Sequence, residues 1–228
     1  MAYRLKRGFF TEVNGVPVTK RAHPNRTRGW GTKLCGEGIV FHYTVGCQPD
    51  IYTTLSTRGI SCHFNVGLNG EIFQYVSLKD RAWHADNAND HYYGIEHAAF
   101  PGRCELTDKQ LEVSAKLSAA IVEWAWRKYE YTIPLVHARG PALVPGFKDH
   151  RDGDGVLWNF NRHTDHLYGW TWSRYLGRVQ YLVYPYTVYA NRKDGEQRSR
   201  DFRDRDEALE WGLRLLDNGW RVTFRKWA

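Results

Sequence analysis

The Asn69-Gly70 pair is the strongest conformational constraint in this chain. It sits between residues 62–67 and 71–76, two short stretches of alternating apolar and polar side chains. Asn and Gly tolerate the positive φ that a tight hairpin needs, so the two stretches are predicted to pair antiparallel. Other segments are patterned to join them. Residues 38–44, Gly-Ile-Val-Phe-His-Tyr-Thr, read as a buried strand ending in polar side chains. Residues 92–98 read as a further strand.

At Thr107 the periodicity changes. Leu111, Ala115, Leu117, Ile121, Val122 and Trp124 form a helical stripe, Thr107 can cap it, and Asp108 suits its first turn. The helix is predicted to end near Tyr129, ahead of Ile133-Pro134. Residues 139–166, rich in Gly, Asp and Asn, read as one long loop, and loops of that length inside a domain are usually functional. Another helix is expected from about Trp170 past Tyr175. The basic segment before residue 38 reads as an irregular arm. Beyond Pro185 come a strand over 186–191, a turn at Lys193-Asp194-Gly195, a helix over 206–216, a stop at Asn218-Gly219 and a strand over 220–224. This ββαβ-like α+β unit is near the lower size limit for independent folding.

The 228 residues suffice for one full-sized domain and a small second one, and 42% apolar with 15% aromatic residues exclude global disorder. A net charge of +7 favours an anionic partner, either nucleic acid or a bacterial wall polymer. Acids are interleaved with the bases and no nucleic-acid motif is present, so nucleic acid is not the expected partner. The first residues contain no apolar run long enough for a signal peptide or a membrane span, so synthesis in a cytoplasm and no membrane insertion are expected. Cys35, Cys47, Cys62 and Cys104 form no CxxC pair, and reduced, mostly buried thiols are expected.

Ten histidines concentrate the chemical interest. His42 ends a strand, while His150-Arg151-Asp152 and His163-Thr164-Asp165 lie in or beside the long loop. A catalytic zinc site takes three protein ligands and leaves a fourth position for water. Two His and an Asp could supply them, although spacing alone does not bring them together.

Taken in order, several motifs resemble the type 2 N-acetylmuramoyl-L-alanine amidases, a superfamily that includes phage lysozyme-amidases and peptidoglycan-recognition proteins. They are Phe41-His42-Tyr43-Thr44, Ser61-Cys62-His63-Phe64 with its hairpin, Arg81-Ala82-Trp83-His84-Ala85, Gly94-Ile95-Glu96, the helix from Thr107, His150-Arg151-Asp152 and His163-Thr164-Asp165. The resemblance spans about residues 38–176. It implies an α/β fold with a central mixed β-sheet flanked by helices and a catalytic domain over 1–180 that includes an arm over 1–37; beyond the reach of the resemblance, the pattern over 186–228 reads as a small accessory unit whose position suggests wall binding. The resemblance further implies one Zn2+ per chain on His42, His150 and Asp165, with Glu96 as general base. His163 stands where the family often has an oxyanion-stabilising Lys. His137 and His166 rival His150 as second ligand, and His163 rivals Asp165 as third. His63, Trp83 and His84 are expected to shape the substrate groove. Asp165 is followed by His166 and Leu167-Tyr168-Gly169 where the family has Pro-Gly, and the gap from His150 is longer than its compact form.

The activity implied is hydrolysis of the amide between the lactyl group of N-acetylmuramic acid and L-Ala of peptidoglycan, by a monomeric phage endolysin. Such an enzyme is made in the host cytoplasm and acts on the wall once the membrane is breached. A cytoplasmic muropeptide-recycling amidase and a non-catalytic peptidoglycan-binding protein are the alternatives.

Overall fold

A computed structural model describes residues 3–153, 170–192 and 194–226. Its strands in the first 100 residues are β1 (Tyr3–Lys6), β2 (Phe9–Val13), β3 (Val16–Lys20), β4 (Arg26–Thr27), β5 (Gly38–Tyr43), β6 (Phe64–Val66), β7 (Ile72–Gln74), β8 (Arg81–Ala82) and β9 (Tyr92–His97). A short helix α1 (Tyr52–Arg58) separates β5 from β6, and α2 (Asp108–Tyr129) leads to β10 (Gly146–Asp149). The main sheet is mixed and eight-stranded, in the order β1-β2-β3-β7-β6-β9-β5-β10. The hairpin expected at Asn69-Gly70 joins β6 and β7 antiparallel, while β6, β9, β5 and β10 run parallel.

The irregular arm is a misreading. Its residues 3–20 form the meander β1-β2-β3, which extends the sheet through parallel pairing of β3 with β7. The overlooked signal is Asn14-Gly15, whose φ values of 46° and 78° make the tight turn between β2 and β3. The long loop likewise contains a strand. β10 is only four residues long and carries Lys148 at its centre, which hides it from any apolar pattern, yet all four residues are buried.

Helix α2 covers one face of the sheet. Phe10, Phe41, Phe64, Val66, Ile95 and Phe147 meet its Leu117, Ile121 and Val122 in one core, joined by Tyr175 and Val179 of α3 (Trp172–Val183). Thr107 starts α2 with a complete capping box: its hydroxyl accepts from the Gln110 amide at 3.1 Å and Gln110 Oε1 accepts from the Thr107 amide at 3.0 Å. The buried Gln110 also donates to the carbonyls of Val66 and Ala98, tying the cap to the ends of β6 and β9. No helix among the described residues is long and apolar enough to cross a membrane.

After α3 a separate three-stranded sheet, ordered β12-β11-β13, comprises β11 (Tyr186–Asn191), β12 (Gln197–Phe202) and β13 (Arg221–Lys226). Helix α4 (Arg205–Asp217) packs Ala208 and Leu215 against it. Arg203 ties this unit to α2: it reaches Glu123 at 3.3 Å and lies over the Trp126 ring.

The expectation of four reduced cysteines is also corrected. Cys47 and Cys104 form a disulfide that joins the segment after β5 to the segment after β9. Cys35 and Cys62 remain free and buried, and burial raises both thiols, Cys35 to about 11.

Two buried histidines make the fold acid-sensitive. His63 and His97 are lowered from 6.5 to about 4, chiefly by burial, so the native state holds both rings neutral. Between those pH values the unfolded chain binds more protons, so this stability is whole above about pH 6.5 and drains away as pH falls to about 4. The loss is roughly 3 kcal/mol per group. Urea midpoints measured from pH 7 to pH 4 should therefore fall steadily, and His63→Gln should flatten the curve.

Candidate active site

Strand register assembles the site. Asn65 of β6 pairs with Glu96 of β9, and Glu96 pairs with His42 of β5. Asp149 of β10 pairs with Phe41, so His150, one residue further on, comes level with His42. Side chains alternate between the faces of a strand. Phe64, Ile95 and Phe41 point into the core under α2, which sends Asn65, Glu96 and His42 to the opposite face. His42, Glu96 and His150 line a cleft of about 260 Å³ there, together with His84 and Arg58.

The imidazoles converge closely. His42 Nδ1 lies 2.9 Å from His150 Nδ1, and both residues are buried. Two nitrogens bound to one tetrahedral zinc at 2.0–2.1 Å stand about 3.3 Å apart, so this pair needs to part by only a few tenths of an ångström to hold a metal. The donor chemistry also fits, because neutral imidazole is a good zinc ligand. His42 Nε2 is 3.0 Å from His84 Nδ1, and His84 Nε2 is 3.0 Å from the Tyr92 carbonyl oxygen. Burial, then the neighbouring His42, His63 and His150, hold His84 far below the usual histidine range.

A relay behind the sheet fixes the backbone of this row. His97 Nδ1 donates to the His42 carbonyl at 3.1 Å, and its Nε2 lies 2.8 Å from the Ser114 hydroxyl of α2. The Tyr175 hydroxyl of α3 bonds both Ser114 and Ser118. With Ser114 donating to His97 and Tyr175 donating to Ser114, every proton in the chain has an acceptor.

The other expected site residues divide. His63 is wholly buried, its Nδ1 accepting from the Gly94 amide and its Nε2 donating to the Asp80 carbonyl. With both nitrogens committed to backbone, it braces the wall of the site and has none left for substrate. Trp83 is exposed, with its indole N–H donated to the Thr27 hydroxyl. His137 lies apart from His42: its Nε2 meets Asp152 at 2.8 Å and its ring stacks on Trp172. His137, Asp149 and Asp152 form a second cluster with metal-ligand chemistry among the described residues. Asp149, however, accepts from Trp172 Nε1, and Asp152 from both His137 and the Asp149 amide. Asp165, His163 and the rival His166 lie outside the described residues.

Sequence reading missed helix α1. It is only seven residues long, but Gly59 closes it with φ 69°, and it brings Leu55 and Arg58 to the cleft wall. Its signal was the Ile51, Leu55 spacing followed by Gly59. The Cys47–Cys104 disulfide tethers the 44–48 segment that forms another part of this wall.

Two converging imidazoles with a carboxylate on the adjacent strand, open to a cleft, form the kind of site used by metal-assisted hydrolases. The chain belongs to the N-acetylmuramoyl-L-alanine amidase family, whose sequence model matches residues 33–165, more than half of the chain. Its enzymatic class is accordingly that of an N-acetylmuramoyl-L-alanine amidase. Among solved structures it is similar to the Staphylococcus aureus hydrolase AmiA in complex with its ligand, at TM-score 0.53 and 13% identity over 72% of this chain and 82% of that one. It is also similar to a selenomethionine derivative of AmpD, at TM-score 0.51 and 17% identity over 77% of this chain and 99% of that one. Both likenesses concern the fold. No curated protein matches the chain at a significant level.

Proposed function

We propose that this chain is a zinc-dependent amidase that cleaves the lactyl–L-Ala amide of peptidoglycan, with His42, His150 and Asp165 as the ligand set and Glu96 as general base. The observation that carries the reading is the single row on the sheet in which His42 lies between Glu96 and His150, its Nδ1 2.9 Å from that of His150. When bound, zinc supplies Lewis acidity that lowers the pKa of a water and polarises the scissile carbonyl. Glu96 accepts a proton from the attacking water and returns it to the amide nitrogen, so the C–N bond breaks as the new C–O bond is completed. His163 takes the place of the family's oxyanion-stabilising Lys. Arg58 at the cleft wall offers a cation to a carboxylate of the stem peptide.

A phage endolysin acting on intact wall is the biological role favoured by the net charge of +7, since the wall is an anionic polymer. The unit built from β11 to β13 is proposed as its wall-binding accessory. The test is release of stem peptides from purified sacculi and from soluble anhydro-muropeptides, each with and without chelator. Chelator-sensitive release, faster from sacculi, is the expected result. Preference for the soluble substrate would make the enzyme a recycling amidase. Wall binding with no release under any zinc supply would sink the catalytic reading in favour of a recognition protein.

A further inference from the structure

His84 was expected to face substrate, but both its ring nitrogens are already engaged within the protein. Its Nε2 lies 3.0 Å from the Tyr92 carbonyl oxygen, which can only accept, so Nε2 carries a proton. In the neutral ring Nδ1 is then a bare lone pair, and His42 Nε2, 3.0 Å away, must be the donor to it. A neutral His42 protonated on Nε2 has its own lone pair on Nδ1, the atom that faces His150. The opposite arrangement, with a doubly protonated His84 donating to His42, would leave Nδ1–H pointing at the metal position and forbid ligation.

We propose that His84 is a positioning residue that sets the tautomer of His42, accepting its Nε2–H so that the Nδ1 lone pair is presented to the metal. The inference deepens the zinc reading and rests on it. That lone pair lies 2.9 Å from His150 Nδ1.

The surroundings are built to hold this ring in place. The amides of His84 and Ala85 both donate to Asn89 Oδ1 at 2.8 Å, clamping the backbone on either side of the Cα–Cβ bond. The ring lies on Gly94, where a Cβ would come within 2.6 Å of His84 Cγ, so only glycine at that strand position lets it reach His42. It stands edge-on to the His42 ring, at 89° and 5.1 Å between centroids. Outer partners of this kind fix the orientation and basicity of metal-bound histidines, and their loss typically weakens metal binding 10–100-fold.

The experiment has two readouts. Long-range 15N–1H correlation spectra of the wild-type, metal-free protein report the His42 tautomer directly. Protonation on Nε2 is expected, and protonation on Nδ1 would overturn the proposal. Zinc affinity, measured by competition with a chromophoric chelator, should fall about 10–100-fold in His84→Leu and be largely restored in His84→Asn, whose carboxamide oxygen can accept from His42. An unchanged affinity in a folded His84→Leu protein would equally overturn it. Failure of the zinc reading looks different: zinc binding indifferent to His42→Ala would remove the ligand assignment, whereas the tautomer is read without metal.

Discussion

Glu96→Gln should lower kcat by about 10²–10⁴-fold while leaving KM and zinc content close to those of the wild type. Gln keeps the shape of the side chain and its capacity to accept a hydrogen bond, but it cannot take up a proton from water. The substitution should be well tolerated structurally, since Glu96 lies on the cleft face of β9 and the core face of that strand is formed by Ile95 and His97. Because proton acceptance belongs to the transition state, the loss should fall on kcat and kcat/KM equally. The measurement is steady-state amide release alongside metal analysis of the same preparation. Activity within threefold of the wild type would remove Glu96 from the reaction.

The second large effect separates the two clusters that offer metal-ligand chemistry. His42→Ala should abolish both stoichiometric zinc and hydrolysis, because it deletes one of the two nitrogens that converge at 2.9 Å. His137→Ala should keep zinc and much of the activity while lowering stability, since His137 pairs with Asp152 and stacks on Trp172 at 4.2 Å. Breaking such a half-buried pair leaves the Asp152 carboxylate without its imidazole donor, a cost of about 1–3 kcal/mol. Zinc content by elemental analysis and melting temperature, measured on both variants, distinguish the roles. Zinc lost from His137→Ala and kept by His42→Ala would move the metal to the other cluster.

How much of this was legible in sequence varied with the range of the interaction. Local signals were dependable: Asn69-Gly70 gave the hairpin, and Thr107 with Asp108 gave the start of α2. Strands whose stability comes from pairing were harder to see. The meander β1-β2-β3 hides among basic residues, and β10 is four residues around a buried Lys148 that donates to the carbonyls of Ala138 and Gly140. For the site, ordered motifs pointed to His42, Glu96 and His150, and register supplies the reason they meet. The roles expected of His63 and His84 turned on which nitrogen faces which backbone carbonyl, a geometric matter that residue type cannot encode. The Cys47–Cys104 bridge depends on two segments made adjacent by the pairing of β5 with β9.

The relay from Tyr175 through Ser114 and His97 to the His42 carbonyl has a consequence for how the enzyme fails. Amide protons exchange slowly where opening requires the core itself to come apart, and rapidly where a segment opens by itself. The His42 end of β5 is fastened to both α2 and α3, so it should not fray as an independent segment. Its opening free energy is therefore expected to approach that of the whole domain. Heat or denaturant should extinguish the active site in the same cooperative step that melts the core, leaving no populated state that is folded but open at His42.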